Sequence, residues 1–353
     1  MDNMFWKNKR VLITGHNGFK GIWLTKWLDM MGAYVMGISL MPEAESGIFA
    51  LSFSPNYENV NEDIREINFY RNVFEFQPEI TIHLAAQAIV RTAKEKPVET
   101  FKTNVIGTAH LLECLRYVDS AKAIVVITSD KVYENREIMT PYSEIGSLMG
   151  SDPYSCSKVA EEQVAKAYFD TYFKELGIGM ATARASNAFG GGDFHFDRLV
   201  PYLERCAFEG ITPQIRNLNS IRPWQYVLDI LNGYLILAEH LYRAPNDYME
   251  YYNFGPDRSE LYTVGEMANI ICTNANILLE RQDFYEAGLL LLDSRKSQKD
   301  LGWRPIYNVK DGLHETTKAY MEYFTHGCSE RMYEDRIYAY IKKYRMLLSK
   351  TIQ

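Results

Sequence analysis

A tyrosine and a lysine stand four residues apart in Tyr154-Ser155-Cys156-Ser157-Lys158, on one face if the segment begins a helix. An ammonium near the phenol favours phenolate, lowering a pKa that is about 10 in free tyrosine. Such a tyrosine can take a proton from a sugar or alcohol hydroxyl while hydride leaves the same carbon. Alone, this spacing is common and suits a solvated helix face. A second group shifts the balance: Thr128-Ser129-Asp130-Lys131 ends an apolar run and sets an acid beside a base. Read without context, Asp130 and Lys131 form an ordinary ion pair. At the carboxyl end of a buried strand, where ligands bind in open α/β sheets, they become candidate catalysts.

A third feature supplies a reason for hydride chemistry. The run Thr14-Gly15-His16-Asn17-Gly18-Phe19-Lys20-Gly21 has a G-x-x-G-x-x-G spacing between a β-like and a helix-like segment. Glycine lets the backbone turn tightly and approach a pyrophosphate resting on a helix N-terminus. The spacing differs from the commoner G-x-G-x-x-G. The turn residues Gly15, Asn17, Gly18, Phe19, Lys20 and Gly21 are therefore expected to hold a dinucleotide. The second strand ends Ser39-Leu40-Met41-Pro42, with no carboxylate before Glu43 and no arginine for a 2′-phosphate, which favours NAD over NADP. Asp63 and Ile64 follow a third short segment and are expected at the adenine, although Asp63 reads equally well as a helix N-cap.

The elements that must carry these groups alternate. Arg10–Thr14, Tyr34–Ile38, Ile80–Leu84, Ala123–Thr128 and Met180–Ala185 read as strands. Helical patterns cover Gly18–Met31, about Thr100–Val118 and about Tyr154–Leu176. Continuous apolar strands separated by helices indicate a doubly wound parallel α/β sheet covered on both faces. After Asn187 the texture turns irregular. The expected organisation is a dinucleotide-binding domain over 1–186, rejoined by about 224–254, with a smaller mixed α/β lobe from 187–223 and 255–353. The tyrosine-rich end, Arg331–Gln353, reads as a surface helix.

Composition narrows the partners. The 353 residues fit two domains of about 150 or one with an appended lobe. With 38 Lys plus Arg against 45 Asp plus Glu, the net charge is −7, which disfavours nucleic acid and anionic membranes as main partners. Five cysteines without a CxxC pair argue against a disulfide framework and a zinc knuckle. Scattered histidines give no metal-ligand spacing, so no metal is expected. No run reaches the roughly 20 apolar residues of a membrane span, and no signal h-region leads the chain, so a cytoplasmic location is expected.

Taken together, these motifs make the chain similar to the extended short-chain dehydrogenase/reductases. Further marks are His83-Leu84-Ala85-Ala86-Gln87 and Thr103-Asn104-Val105-Ile106-Gly107-Thr108. Gly18-Phe19-Lys20-Gly21, Asp130-Lys131, Gly190-Gly191-Gly192-Asp193, Asp197-Arg198-Leu199-Val200-Pro201 and Ile221-Arg222-Pro223-Trp224-Gln225 resemble the CDP-glucose 4,6-dehydratase branch. The dTDP-glucose branch usually has Asp-Glu where this chain has Asp130-Lys131. Val132, where Cys is frequent, and Met139-Thr140-Pro141 depart from the pattern.

The resemblance implies a NAD-dependent lyase acting on a nucleotide sugar, CDP-glucose preferred, and a homodimer pairing the helices near Thr100–Val118 and Tyr154–Leu176. It adds Leu84, Ala85, Ala86, Gln87 and Thr103 to the cofactor contacts, along with Tyr154 and Lys158. It implies catalytic roles for Ser129, Asp130, Lys131, Tyr154 and Lys158. Asn187, Arg198, Arg222 and Asp293 are the implied substrate contacts, a guanidinium suiting a diphosphate. The chemistry needs Asp130 protonated and Lys131 neutral, against reference pKa values of about 3.9 and 10.4. The alternatives are a dehydratase for another nucleotide sugar, a NAD-dependent 4-epimerase, and a non-catalytic dinucleotide sensor.

Overall fold

Seven short segments form one sheet: β1 (Arg10–Thr14), β2 (Tyr34–Ser39), β3 (Tyr57–Asn61), β4 (Ile80–His83), β5 (Ala123–Ile127), β6 (Gly179–Ala185) and β7 (Tyr251–Phe254). The computed structural model describes residues 3–41, 51, 53–195, 197–273, 276–280 and 287–351. Strand order is β7-β6-β5-β4-β1-β2-β3, and every neighbouring pair is parallel. The winding reverses between β1 and β4, which opens a crevice beyond their carboxyl ends.

Alternation within the strands builds two cores. Val11 and Ile13 of β1, with Val125 and Ile127 of β5, enter one cluster; Leu12, Ile124 and Val126 enter the other. The first cluster is covered by α1 (Phe19–Met30), which contributes Trp23 and Trp27. On the opposite face lie α2 (Thr108–Leu115) and α3 (Pro153–Tyr168), with Leu111, Leu112 and Ala165. Beyond the sheet, Asn187–Phe189 pairs with Trp224–Tyr226, and α4 (Leu199–Glu209) packs in the lobe. Then α5 (Val227–Arg243) returns to the first face, followed later by α6 (Val309–His326) and α7 (Glu330–Thr351). This is the expected doubly wound α/β fold with a smaller lobe.

Three local expectations change. The helix expected over Thr100–Val118 begins at Pro97, passes through a π-helical turn at Lys102–Gly107 and ends at Leu115. That wide turn places the Asn104 amide between Gln87 O and Ser157 Oγ, at 3.1 and 2.8 Å. The helix expected over Tyr154–Leu176 likewise passes through a π-helical turn at Phe169–Phe173.

The last helix is no surface element. Met332, Tyr333, Ile337, Tyr340 and Tyr344 recur at helical spacing and are buried. Tyr333 meets Trp23 at 4.5 Å between ring centroids, and Tyr340 meets Trp27 at 5.3 Å. Tyrosine supplies a large apolar body with one polar atom, so a tyrosine-rich face can serve as core. The Tyr340 hydroxyl donates to Asp229 Oδ1 at 2.8 Å, and Asp229 also accepts from Ile306 N and Tyr307 N. That carboxylate fastens Ile306 and Tyr307 to α5, and the Asp229 carbonyl accepts from Trp303 Nε1.

Glu204 of α4 is buried and accepts from Thr317 Oγ1 of α6 at 2.7 Å. Burial pushes its carboxyl up to about 7. Folded protein therefore keeps a proton that the unfolded chain releases from about pH 4, so stability falls as pH climbs from there to neutrality. Glu204→Gln keeps an acceptor and removes the charge. Its melting temperature should exceed wild type by about 2–4 °C at pH 8 and by much less at pH 5. Equal shifts at both pH values would show that the ionised carboxylate carries no penalty there.

Candidate active site

At the carboxyl end of β5 the chain leaves the sheet through Thr128 and Ser129 and enters a 3₁₀ turn at Asp130–Val132. The Ser129 hydroxyl caps that turn, accepting from Lys131 N at 3.2 Å and donating to Asp130 Oδ1 at 3.1 Å. Asp130 is 2% exposed. Its Oδ2 has no hydrogen-bond partner among the described residues. Burial lifts this carboxyl above the usual range, against the opposing pull of Lys131, the Ser129 hydroxyl, Arg222 and Lys20. An uncharged acid with a free oxygen can give a proton to a leaving hydroxyl. Lys131 Nζ lies 5.6 Å from the centroid of the Tyr154 ring, bringing the two expected bases together.

Tyr154 is positioned by the start of α3. Asp152 accepts from Tyr154 N and Ser155 N, the Ser155 hydroxyl answers the backbone N–H of Asp152, and Pro153 occupies the first turn. Gly150 is required beside this cap, since a Cβ there would meet Cys156 N at 2.2 Å. One turn on, Lys158 is buried, donates to Ile127 O at 3.1 Å and lies 2.7 Å from Glu161 Oε2. Ser129, expected among the catalytic groups, donates its hydroxyl to Asp130.

The glycine turn forms at the β1–α1 junction. Gly15 has φ +73°, and a Cβ on it would stand 2.7 Å from Ala85 N. A Cβ on Gly21 would reach 2.2 Å from Gly15 O. The turn thus lies open at the head of a twelve-residue helix, the cradle a pyrophosphate needs. Lys20, in the first turn of α1, is pushed down to about 7 by burial and then by Arg198. Asp63, expected at the adenine, serves as a turn cap to Arg65 N and pairs with the Arg65 guanidinium. The hydrogen bond from Arg65 leads in holding that carboxyl below its ordinary value. Pro42 and Glu43 lie outside the described residues.

One cavity of about 1420 Å³ joins these groups. Its wall includes Gly15, Gly18, Phe19, Lys20, Gly21, Asp63, Ile64, Leu84, Ala85, Ala86 and Thr103, then Ser129, Asp130, Lys131, Tyr154 and Lys158, then Asn187, Arg198 and Arg222. That length of wall fits a dinucleotide laid from the glycine turn to Tyr154 with a second ligand beyond it.

Three expected contacts stand off the wall. Asn17 instead ties the turn to Leu40 O at 3.0 Å. Gln87 is spent on Asn104, Ile89 and Thr100. Asp293 bridges Arg258 and Arg295, which fastens a loop. In each case the polar side chain is engaged by protein groups, most of them distant in the chain.

Sequence reasoning missed Arg65 on the wall, the far-end lining from Tyr202, Gln214, Arg216 and Leu290, and the buried Glu161. Only Glu161 had a visible signal, its three-residue spacing from Lys158.

The profile of the GDP-mannose 4,6 dehydratase family matches residues 12–316. The CDP-glucose 4,6-dehydratase of Salmonella typhimurium is 41% identical over 330 residues, covering 90% of this chain and 92% of that protein. Among solved structures, an epimerase from Methanothermobacter thermautotrophicus shares the fold with a TM-score of 0.82 at 24% identity, over 92% of this chain and 95% of its own. A dTDP-glucose 4,6-dehydratase from Bacillus anthracis, in complex with NAD, superposes with a TM-score of 0.78 at 22% identity, over 90% and 98%.

The cap of α3 is directly testable. Asp152→Ala should cost about 1 kcal/mol, a fall in melting temperature of roughly 2–4 °C. Asp152→Asn, which still caps, should stay within a degree or so of wild type in the same thermal melt. Equal losses in both would mean that the carboxylate charge, and not the cap, matters.

Proposed function

Because the chain belongs to the extended short-chain dehydrogenase/reductase family of nucleotide-sugar 4,6-dehydratases, we propose that it binds NAD and converts CDP-glucose to CDP-4-keto-6-deoxyglucose. The single observation carrying the reaction type is Asp130: a buried carboxyl with a free oxygen, directly followed by Lys131 over Tyr154. An epimerase has no use for such an acid and base pair. The choice of base rests on the 41% identity to the Salmonella enzyme and on Asp130-Lys131 itself.

When bound, NAD supplies a hydride acceptor that takes hydrogen from C4 and later returns it to C6. Tyr154, as phenolate, removes the proton of the 4-hydroxyl. The resulting ketone acidifies C5–H, and Lys131 takes that proton while Asp130 protonates the departing 6-hydroxyl as water. Lys131 then returns its proton to C5. Over one cycle Tyr154 gains a proton and Asp130 loses one, so a proton must pass from the first to the second before the next turnover. Gly15, Gly18 and Gly21 form the pyrophosphate cradle, and Arg198 and Arg222 face the sugar diphosphate. A homodimer through the helices around Thr100–Val118 and Tyr154–Leu176 is part of this reading, supported by exposed Val98, Phe101, Ile106, Tyr117 and Leu176 on and beside them.

Incubation with CDP-, UDP-, GDP- and dTDP-glucose, read by mass spectrometry, should show loss of one water foremost from CDP-glucose. Faster loss from another nucleotide would reassign the base, and isomerisation without loss of mass would reassign the reaction. Lys131→Ala should still form reduced cofactor on adding substrate, then stall, with turnover down about 10²-fold or more. Full turnover by that variant would remove Lys131 from the mechanism.

A further inference from the structure

Below Tyr154 lies a carboxylate that the reaction as written does not use. Glu161 is three residues beyond Lys158 on α3, and both side chains are sealed from solvent. Glu161 Oε2 is 2.7 Å from Lys158 Nζ, although neither carboxylate oxygen has a partner with hydrogen-bond geometry among the described residues. A carboxylate buried in this way needs a nearby cation, and a buried ammonium needs a nearby anion.

The other titratable neighbours do not supply that cation. His83 of β4 brings Nε2 within 4.0 Å of Glu161 Oε1. The Thr108 hydroxyl donates to Asn104 O at 2.7 Å, so it accepts from His83 Nε2–H at 2.8 Å. The Thr14 hydroxyl then donates to His83 Nδ1 at 2.6 Å. That is the pattern of a neutral imidazole, and burial, followed by the Lys158 charge, pushes His83 down to about 3. Glu162, next on α3, is engaged by Arg184 and by the Thr128 hydroxyl. Lys158 is the cation that faces Glu161, and Ile127 O is the other close partner of Lys158.

We propose that Glu161 is a positioning residue for the dehydratase: its carboxylate keeps Lys158 charged and in place one helical turn from Tyr154, and so sets the pH at which Tyr154 can act as base. This rests on the functional reading above. With Glu161 neutral, Lys158 is left buried against a lone carbonyl, and burial then favours loss of its proton. Tyr154 loses the nearby positive charge and forms phenolate only at higher pH. Burial, opposed by Lys158, pushes the Glu161 carboxyl up to about 7, so the anchor itself weakens on acidification.

The test compares kcat/KM against pH for NAD-loaded wild type and Glu161→Gln. The acid limb of the variant should move at least one unit to higher pH, giving about a tenfold loss at pH 7. That loss should recover as pH rises. Below about pH 6 the two curves should converge, because wild-type Glu161 is then protonated as well. In parallel, phenolate absorbance of the NAD-loaded protein, corrected with Tyr154→Phe, should show the Tyr154 midpoint moving the same way.

Superimposed profiles, or a loss equal at every pH, overturn the proposal, since a fold defect has no reason to be repaired by alkali. If wild type dehydrates no nucleotide sugar, the functional reading falls, while the phenolate midpoint still decides the role of Glu161. Should Glu161→Gln fail to fold, Glu161→Asp keeps the charge further from Nζ, and a smaller displacement in the same direction is expected. An unmoved Tyr154 midpoint in a folded Glu161→Asp protein also overturns it.

Discussion

Charge held out of water at one end of a parallel sheet is the constraint from which the rest of this molecule follows. Asp130, Lys158, Glu161, Glu162 and Arg184 are all buried near the carboxyl ends of β5 and β6. Transfer of any one of them alone into a low-dielectric interior is strongly unfavourable. The protein meets that cost unevenly. Arg184 and Glu162 are fully engaged, with Thr128, Tyr133 and Glu144 O completing their bonds. They brace α3 against β6. Among the described residues, Asp130 Oδ2 has no hydrogen-bond partner, and Glu161 has the Lys158 ammonium beside it without hydrogen-bond geometry. Arg184 and Glu162 hold the frame, whereas Asp130 and Glu161 are left less completely satisfied beside the candidate catalytic groups.

The sheet is readable in the sequence because parallel strands buried on both faces leave continuous apolar runs, as at Val11–Ile13 and Ala123–Ile127. The π-helical turn at Lys102–Gly107 is not readable, because it depends on where Asn104 finds partners in Gln87 and Ser157, residues remote in the chain. Arg331–Gln353 misleads through its tyrosines, which composition counts as half-polar and the core uses as rings.

In the site, motif spacing places Ser129, Asp130, Lys131, Tyr154 and Lys158 on one wall because strand ends and a capped helix leave them little freedom. Asn17, Gln87 and Asp293 stand off that wall, engaged by groups elsewhere in the chain that the motifs do not reveal. Glu161 and Glu162 carry no mark of burial in the sequence; the packing of α3 against the sheet encloses both.

Proton bookkeeping links these groups. In the proposed cycle the two ends are a phenol that has accepted a proton and a carboxylate that has given one away. Ser129 stands on the Asp130 side of that gap with its hydroxyl directed at the carboxylate. Lys131 projects over the ring on the other side. Elimination therefore asks for a dry pocket, since bulk water would ionise Asp130, yet also for a route by which one proton crosses it.

The packing of α7 on α1 reaches back in time as well as in space. Trp23 and Trp27 leave the ribosome some three hundred residues before Tyr333 and Tyr340 exist to cover them. Until α7 is made, the helix that heads the glycine turn lacks the two rings that finish its cover. The cover of an early helix is thus finished by a late one.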